Sequence, residues 1–257
     1  MPVDPHAQRG FGAGADAYER HRPGWPPAAV ERALTEVRAG AASTVVDVGA
    51  GTGKLTRELV RRVGRAVAVE PSADMRRRLA ELVPGAEVVA GAADAIPLPD
   101  GTADAAFAAE AFHWFATRDA VAELARVLRP GGGLALLWNL YEWDAGAPWV
   151  EEVRTVLGEH LAPAFAAVDR NRPESWREPF AGAPFEAFEH FDVRHSMRTD
   201  ADGLVAHVST WSHTRVLDEP ARAELLRELE AVLHRAHPTP DEIEIRFRTE
   251  VHWTQRA

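Results

Sequence analysis

Residues 45–56 decide the fold, with the sequence Val45-Val46-Asp47-Val48-Gly49-Ala50-Gly51-Thr52-Gly53-Lys54-Leu55-Thr56. A short β-branched apolar run ends in alternating glycines, and apolar residues then recur at helical spacing. This pattern predicts a strand buried on both faces, a tight turn and a helix. Glycine at every second position indicates a backbone that a ligand or another segment approaches closely.

The spacing of the glycines separates the kinds of ligand that such a turn binds. A phosphate-binding P-loop requires G-x-x-x-x-G-K-[ST], but Val48 stands at its first glycine position and Leu55 at its hydroxyl position. A dinucleotide-binding turn requires G-x-G-x-x-G, and Lys54 replaces its third glycine, which weakens that interpretation without excluding it. A tight turn that binds no ligand is a further alternative.

The run from Asp47 to Gly53 reads D-x-G-x-G-x-G and resembles motif I of the class I S-adenosylmethionine-dependent methyltransferases. The resemblance implies that Gly49, Gly51 and Gly53 pass under the methionine part of the cofactor, with helix N-terminal amides near its carboxylate. It also implies that Asp47 fixes the loop or attracts the cofactor's ammonium group.

A second strand, residues 66–70, ends in the carboxylate of Glu70. In a doubly wound sheet the tip of this strand lies beside the glycine turn, so Glu70 is placed to accept hydrogen bonds from a ribose diol. An exposed strand-end glutamate is the alternative. Ser72 is a predicted helix N-cap. The family resemblance adds Pro71 and Met75 to the expected cofactor-binding residues.

Residues 91–101 resemble the family's G-D-A-E-x-L-P-F-x-D-G segment, which recognises the adenine edge. Ala92 stands where the family often has an acid, so adenine recognition is expected to rest on the Ala93 amide, with Asp94 as a second contact. This departure keeps open a protein that binds the cofactor without catalysis.

The predicted fourth strand, residues 103–109, delivers Glu110, His113 and Trp114 at its carboxyl end, where open α/β sheets bind ligands. Because histidine titrates near neutrality, His113 is the candidate catalytic base, or an acceptor-binding group. A histidine packed among aromatic residues is the alternative. The resemblance places Glu110 at the cofactor, and Trp114 is expected to pack at the acceptor site.

Residues 17–26, AYERHRPGWP, resemble the Y-x-x-x-R-P-x-Y-P arm that precedes the core in one group of small-molecule methyltransferases. Its glycine and proline content predicts an irregular arm over residues 1–26. In that group the arm folds over the cofactor pocket, which implies that Tyr18 contacts the cofactor and Arg22 the acceptor. An aromatic arm packed on the surface is the alternative.

The rest of the chain, residues 27–257, is expected to form one domain. Residues 141–184 and 200–240 are expected to cap the pocket, and Tyr141 and Trp211 are candidates for the acceptor site. Residues 188–197 and 243–253 predict an antiparallel strand pair after five parallel strands, and the second segment alternates strictly. This order is similar to that of the methyltransferase family, so the resemblance implies an α/β fold with a doubly wound, mostly parallel, seven-stranded sheet in the order 3-2-1-4-5-7-6.

Composition narrows the function classes. The chain has 257 residues, 46% hydrophobic and 26% charged, which is typical of a soluble globular protein. Its net charge of −10 argues against nucleic acid or an anionic membrane as the main partner. The lack of cysteine excludes disulfides and thiolate chemistry. Because no apolar run reaches the length of a membrane span or signal peptide, we expect a cytoplasmic location.

The resemblance is closest to the trans-aconitate and ubiquinone-pathway type of small-molecule methyltransferases. It implies in-line transfer of a methyl group from S-adenosylmethionine to an oxygen, nitrogen or carbon of a small-molecule acceptor, by a monomer or homodimer. No histidine spacing predicts a metal site. Two alternatives remain: a nicotinamide-dependent oxidoreductase on the same topology, and a regulatory protein that binds S-adenosylmethionine without catalysis.

Overall fold

Seven strands form one sheet in the computed structural model, which describes residues 15–143, 147–167, 175–238 and 243–257. The strands are β1 (Thr44–Val48), β2 (Arg65–Glu70), β3 (Glu87–Ala90), β4 (Ala103–Ala109), β5 (Leu128–Tyr141), β6 (Glu189–Thr199) and β7 (Ile243–Gln255). Their order is β3-β2-β1-β4-β5-β7-β6, which confirms the predicted fold.

The first five strands run parallel to one another, and β7 runs antiparallel to both β5 and β6. The alternation of β7 is as expected, since Ile243, Ile245 and Phe247 are buried and the residues between them are exposed. Whereas the edge strand β3 is partly exposed, the central parallel strands are buried on both faces, with Val45 and Val46 both inaccessible to solvent. This is the burial that a near-continuous apolar run predicts.

Helices cover both faces of the sheet and its carboxyl edge. They are α1 (Ala15–His21), α2 (Pro27–Glu36), α3 (Thr56–Leu59), α4 (Ala73–Leu82), α5 (Arg118–Val127), α6 (Pro148–Ala167), α7 (Ala201–Ser209), α8 (Ser212–Arg215) and α9 (Glu219–Ala236). Short 3-10 helices span Phe112–Trp114 and Ser175–Phe180. As predicted, Ser72 caps α4 by accepting the Met75 N–H. Among the described helices, none is both long enough and apolar enough to cross a membrane.

The prediction of an irregular arm over residues 1–26 is wrong for residues 15–21, whereas residues 22–26 form neither helix nor strand, as predicted. Residues 15–21 form α1, because this stretch holds neither glycine nor proline and its charges match the helix dipole. Asp16 lies in the first turn and Arg20 and His21 in the last. The helix ends before Pro23, where a proline is expected to stop it. Residues 1–14 of the arm lie outside the described residues, as do residues 144–146 and 168–174 of the expected cap.

Candidate active site

A cavity of about 1230 Å³, counted with its open mouth, lies at the carboxyl ends of the parallel strands and extends to α1 and β7. It occupies the edge where open α/β sheets bind ligands. The cavity brings together most of the residues predicted for the site. These are Tyr18, Arg22, Asp47, Gly49, Gly51, Glu70, Pro71, Met75, Ala93, Glu110, Trp114 and Tyr141.

The other predicted site residues are not among those that line this cavity. A Cβ atom at Gly53 would lie 2.9 Å from Leu79 Cγ, so this glycine permits close packing of the turn on α4. Asp94 is exposed. Trp211 packs against the ring of Tyr141, with 5.2 Å between ring centroids, and so supports the cavity wall from outside.

The glycine turn has the left-handed backbone that glycine adopts at low cost. Gly49 has φ +72°, and a Cβ there would lie 2.8 Å from Ala111 Cβ at the end of β4. Gly51 has φ +58°, and no heavy atom lies within 4 Å of its Cβ position. The turn therefore packs closely against β4 at Gly49 and leaves open space for a ligand at Gly51.

Glu70 joins the tip of β2 to the glycine turn. Its Oε2 accepts the Gly51 N–H at 2.9 Å, and its Oε1 accepts the Ser72 N–H at 2.8 Å. Burial raises the pKa of Glu70, although these two hydrogen bonds and the charge of Arg76 act against the shift. Because each carboxylate oxygen has a second lone pair, Glu70 can hold the turn and also accept hydrogen bonds from a ligand.

Asp47 has one satisfied and one unsatisfied carboxylate oxygen beneath the turn. Its Oδ2 accepts the hydroxyl of Thr56 at 2.6 Å, whereas the buried Oδ1 has no hydrogen-bond partner in the described part of the chain. Burial raises the pKa of Asp47 to about 7. The Thr56 hydrogen bond acts against this shift, and the charge of Glu70 adds to it. A buried oxygen without a partner next to a cavity is suited to a ligand that donates hydrogen bonds, such as an ammonium group.

Helix α1 is held over the turn by Glu19, a contact that the sequence did not predict. The Glu19 carboxylate accepts hydrogen bonds from Thr52 at 2.7 Å and Arg57 at 2.6 Å, and its backbone carbonyl accepts one from Lys54 at 2.7 Å. Burial would raise the pKa of Glu19, but the hydrogen bonds from Arg57 and Thr52 outweigh it and lower the pKa. Tyr18 is thereby placed in the cavity wall.

Glu110 lies at the carboxyl end of β4 with φ 49°, a left-handed conformation in which a residue other than glycine is strained. Its Oε1 accepts the Asn139 N–H at 2.7 Å. Burial raises its pKa, while the charge of Arg22 and the Asn139 hydrogen bond lower it. Strain of this kind clusters at functional sites, where the surrounding structure maintains it.

Residues of α7 and the segment that follows it hold Arg22 and Tyr141 in the cavity wall. Arg22 donates from Nε to the Thr210 hydroxyl at 3.0 Å and from Nη2 to the Thr210 carbonyl at 3.2 Å. The Tyr141 hydroxyl lies 2.5 Å from His207 Nε2. His207 was not among the predicted site residues, although a histidine within the apolar run of residues 204–208 is a signal of a buried polar contact.

His113, the predicted base, is not among the residues that line the cavity. Its Nδ1 accepts the indole N–H of Trp138 at 3.2 Å. Burial, followed by the charges of His213 and Arg22, lowers its pKa to about 4. The ring is therefore neutral at pH 7, and its Nδ1 lone pair is already occupied.

The fold and cavity define a class of protein. A parallel sheet in the order 3-2-1-4-5 carries a glycine turn after its first strand and a carboxylate at the tip of its second. Both border the cavity at the carboxyl edge of the sheet. This arrangement defines a Rossmann-like fold, a class in which nucleotide-containing cofactors commonly bind at this edge of the sheet.

Comparisons with known proteins specify the family. Residues 46–136 match the family described as methyltransferase domain. An uncharacterised methyltransferase of Mycobacterium tuberculosis is 44% identical over 153 residues, which are 60% of each chain, so the match spans less than two thirds of that relative. An uncharacterised methyltransferase-like protein of Schizosaccharomyces pombe is 31% identical over 218 residues, covering 84% of this chain and 82% of the relative.

A solved structure supports the same conclusion over nearly the whole chain. The structure of a protein from Anaeromyxobacter dehalogenans, described as a candidate type II methyltransferase, superposes with a TM-score of 0.68 and 26% identity. The superposition covers 90% of this chain and 97% of that protein. The chain belongs to the class I S-adenosylmethionine-dependent methyltransferase family.

Proposed function

We propose that this protein binds S-adenosylmethionine in the cavity and transfers its methyl group to a small-molecule acceptor. One observation carries the proposal: Glu70 is bonded to the glycine turn at Gly51, beside a buried Asp47 oxygen that has no partner in the described chain. A carboxylate at the tip of the second strand suits a ribose diol, and the free Asp47 oxygen suits an ammonium group.

The cofactor half of the cavity is built from the first three strands. Glu70 would accept the ribose hydroxyls and Asp47 the ammonium group, while Pro71, Met75 and Ala93 would border the adenine. When bound, S-adenosylmethionine supplies a methyl group on a positively charged sulfur, which is already activated for transfer. The open space at Gly51 would let the cofactor pass close to the backbone.

The acceptor half is built from α1 and the ends of β4, β5 and β7. Arg22, Asn139, Tyr141 and Phe247 line the cavity and would form this side, while Glu110 at the end of β4 would contact the cofactor. Apolar walls and a few fixed polar groups are typical of a small-molecule site. Here the chain's own residues position the acceptor and exclude water, which is the main contribution that a protein makes to a reaction whose methyl donor is already activated. The helices within residues 147–167 and 201–236 would form the cap over this half.

The first experiment is calorimetric titration of the full chain with S-adenosylmethionine, S-adenosylhomocysteine and NAD⁺. We expect saturable binding of the first two, with a loss of roughly 10- to 100-fold in Glu70→Ala, since a buried hydrogen-bonded carboxylate contributes about 1.5 to 3 kcal/mol. Glu87→Ala is the matched control, because Glu87 is a glutamate on the adjacent strand that is half-exposed and paired with Arg65. Binding of NAD⁺ alone would support the oxidoreductase alternative.

A second experiment separates catalysis from binding. The protein is incubated with S-adenosylmethionine and a panel of small acceptors that carry hydroxyl, amine or carboxylate groups. Methylated product detected by mass spectrometry supports the enzyme. Tight cofactor binding without transfer to any acceptor, also in a cell extract of small molecules, supports the non-catalytic binding protein.

A further inference from the structure

Three hydrogen-bonding groups form a chain that starts at the cavity wall. The Tyr141 hydroxyl lies 2.5 Å from His207 Nε2, and His207 Nδ1 lies 2.7 Å from the backbone carbonyl of His21. His207 is completely buried, and Tyr141 lines the cavity. The chain therefore joins β5, α7 and α1 through one imidazole ring.

The direction of the hydrogen bonds follows from the chemistry of the groups. A backbone carbonyl only accepts, so His207 Nδ1 carries a hydrogen. A neutral imidazole carries one hydrogen, so Nε2 is an acceptor and the Tyr141 hydroxyl donates to it. The Tyr141 hydrogen is thus directed away from the cavity, and the oxygen retains lone pairs for a ligand.

Burial keeps both rings in these protonation states. Burial, followed by the charge of Arg22, lowers the pKa of His207 to about 3, so the ring is neutral at pH 7. Burial raises the pKa of Tyr141, so its hydroxyl stays protonated. The charged and titratable groups that act on this pair are Arg22, which Thr210 holds in place, the cavity carboxylate of Glu110, Tyr18 and His21.

Trp211 adds a polar contact on the protein side. Its indole N–H acts to lower the pKa of Tyr141, although Nε1 makes no hydrogen bond of good geometry within the described residues. The Trp211 ring lies 5.2 Å from the Tyr141 ring between centroids, and its N–H favours negative charge on the Tyr141 oxygen. At most one lone pair of the oxygen is used in this way, which leaves the other for a ligand.

We propose that Tyr141 is a catalytic residue whose oxygen accepts the hydrogen bond and then the proton of a nucleophilic hydroxyl group on the acceptor. His207 is the positioning residue, and it receives the Tyr141 proton in the same step. The inference rests on the proposed function and narrows the acceptor to a molecule that carries a nucleophilic hydroxyl.

The step balances in atoms and charge. An oxygen lone pair of the acceptor forms the new bond to the methyl carbon, and the electrons of the broken carbon–sulfur bond stay on sulfur. The hydroxyl proton of the acceptor passes to the Tyr141 oxygen. The original Tyr141 proton passes to His207 Nε2. After the product leaves, the imidazolium returns its proton to the Tyr141 oxygen, and Tyr141 releases its other hydrogen to solvent in the open cavity, which restores the starting state. A methylated hydroxyl that still holds its proton is a strong acid, so even a weakly basic buried imidazole can take the proton.

The other acceptor classes fit this pair less well. A carboxylate has no proton to give, so it would gain nothing from a hydrogen-bond acceptor in the wall. An amine that arrives neutral attacks with its own lone pair and loses its extra proton to solvent after transfer, so it needs no base in the wall. A hydroxyl acceptor is therefore the class for which the pair of Tyr141 and His207 is of most use.

The test uses two ligands that need no acceptor. S-adenosylhomocysteine has only sulfur at the position of methyl transfer, whereas sinefungin has a carbon with an ammonium group there. If the Tyr141 oxygen faces this position, wild type should bind sinefungin more tightly than S-adenosylhomocysteine. Tyr141→Phe should reduce that preference roughly 10-fold, since a hydrogen bond to a charged group is worth about 1.5 to 3 kcal/mol. Affinity for S-adenosylhomocysteine should change less than about twofold.

Tyr18→Phe is the matched control, because Tyr18 and Tyr141 are the two tyrosines of the chain and both line the cavity. This variant should reduce the affinity for the two ligands by the same factor. An unchanged preference in Tyr141→Phe, or a preference lost only in Glu110→Gln, would overturn the inference while leaving cofactor binding intact. If wild type binds neither ligand, the proposed function itself fails and the inference fails with it.

A spectroscopic measurement tests His207 separately. In protein labelled with ¹⁵N-histidine, long-range ¹H–¹⁵N spectra distinguish the two neutral tautomers, and the signal that disappears in His207→Gln identifies the residue. At pH 7 we expect a neutral ring with its hydrogen on Nδ1. A ring with its hydrogen on Nε2, or one that is charged at pH 7, would contradict the hydrogen-bond direction on which the inference depends.

Discussion

Thr56 donates its hydroxyl to one oxygen of the Asp47 carboxylate at 2.6 Å, while the other oxygen of Asp47 has no hydrogen-bond partner among the described residues. The two residues flank the glycine turn, so Thr56 holds Asp47 in a fixed orientation from the first turn of α3. The carboxylate is 2% exposed, and burial raises its pKa to about 7. The charge that the site presents to a ligand therefore changes close to neutral pH.

Asp47 should make the ligand-free protein less stable as pH rises from about 4 to 7. Its pKa is raised to about 7 in the folded state, so between these values the folded state binds more protons than the unfolded state. The free energy of unfolding should fall over this interval by roughly 1 to 4 kcal/mol from this group. Asp47→Asn should remove that decrease. Urea unfolding of both proteins at several pH values measures the difference, and parallel pH profiles would contradict it.

The same carboxylate should make cofactor affinity depend on pH. Because only the ionised form attracts an ammonium group, affinity for S-adenosylhomocysteine should rise roughly 10-fold between pH 6 and 8 in the wild type. Asp47→Asn should bind weakly and with little pH dependence. Calorimetry at matched ionic strength measures both effects. Equal pH dependence in the two proteins would show that another group binds the ammonium.

Breaking the contact between α1 and the glycine turn should accelerate release of the cofactor. Glu19→Gln loses the charge that pairs with Arg57 and Lys54. We expect S-adenosylhomocysteine to dissociate roughly 10-fold faster, as a partly buried charged hydrogen bond contributes about 1.5 to 3 kcal/mol. Asp16→Asn is the control, because Asp16 on the same helix forms an ion pair with Arg78 but its side chain is 72% exposed. Stopped-flow displacement should separate the two variants, and equal rates would contradict a specific role for Glu19.

Gly51→Ala should reduce cofactor affinity more than it reduces stability. The substitution strains a residue at φ +58° and places a methyl group in the open space of the turn. Gly131→Ala is a matched control. Gly131 has φ +72°, and no heavy atom lies within 4 Å of its Cβ position. Unlike Gly51, it lies before the buried part of β5 and does not line the cavity. Both variants should lose about 1 kcal/mol of stability. Only Gly51→Ala should weaken the binding of S-adenosylhomocysteine. Equal affinities of the two variants for this ligand would show that it binds elsewhere.

Replacement of His113 tests the base that the sequence predicted. Burial lowers the pKa of His113 to about 4. Between pH 4 and 6.5 the folded state therefore binds fewer protons than the unfolded state, so the free energy of unfolding rises with pH. His113→Asn, which can still accept the Trp138 N–H, should flatten this rise and leave cofactor affinity within about twofold. A loss of about 10² to 10⁴ in transfer rate, with unchanged cofactor affinity, would instead establish His113 as the base.

Local pattern was sufficient to predict the architecture. The apolar runs, the glycine turn and the alternation of residues 243–253 specified the strands and their burial. The strand order was implied by the resemblance of the motifs to the methyltransferase family, and the structure confirms it. The glycine spacing and the position of Glu70 after the second strand predicted that these residues meet at one edge. These features depend on neighbours in sequence and on general rules of strand connection, so they are legible without coordinates.

The sequence by itself therefore determined the fold class, the glycine turn and the residues at the strand tips. Only the tertiary structure decided that residues 15–21 form a helix bonded to the turn through Glu19, that His113 is outside the cavity lining, and that Tyr141 meets His207. Tyr141 and His207 are 66 positions apart, and Arg22 and Thr210 are 188 apart. Such contacts depend on how separate elements pack and on side-chain orientation, and neither periodicity nor motif spacing encodes these.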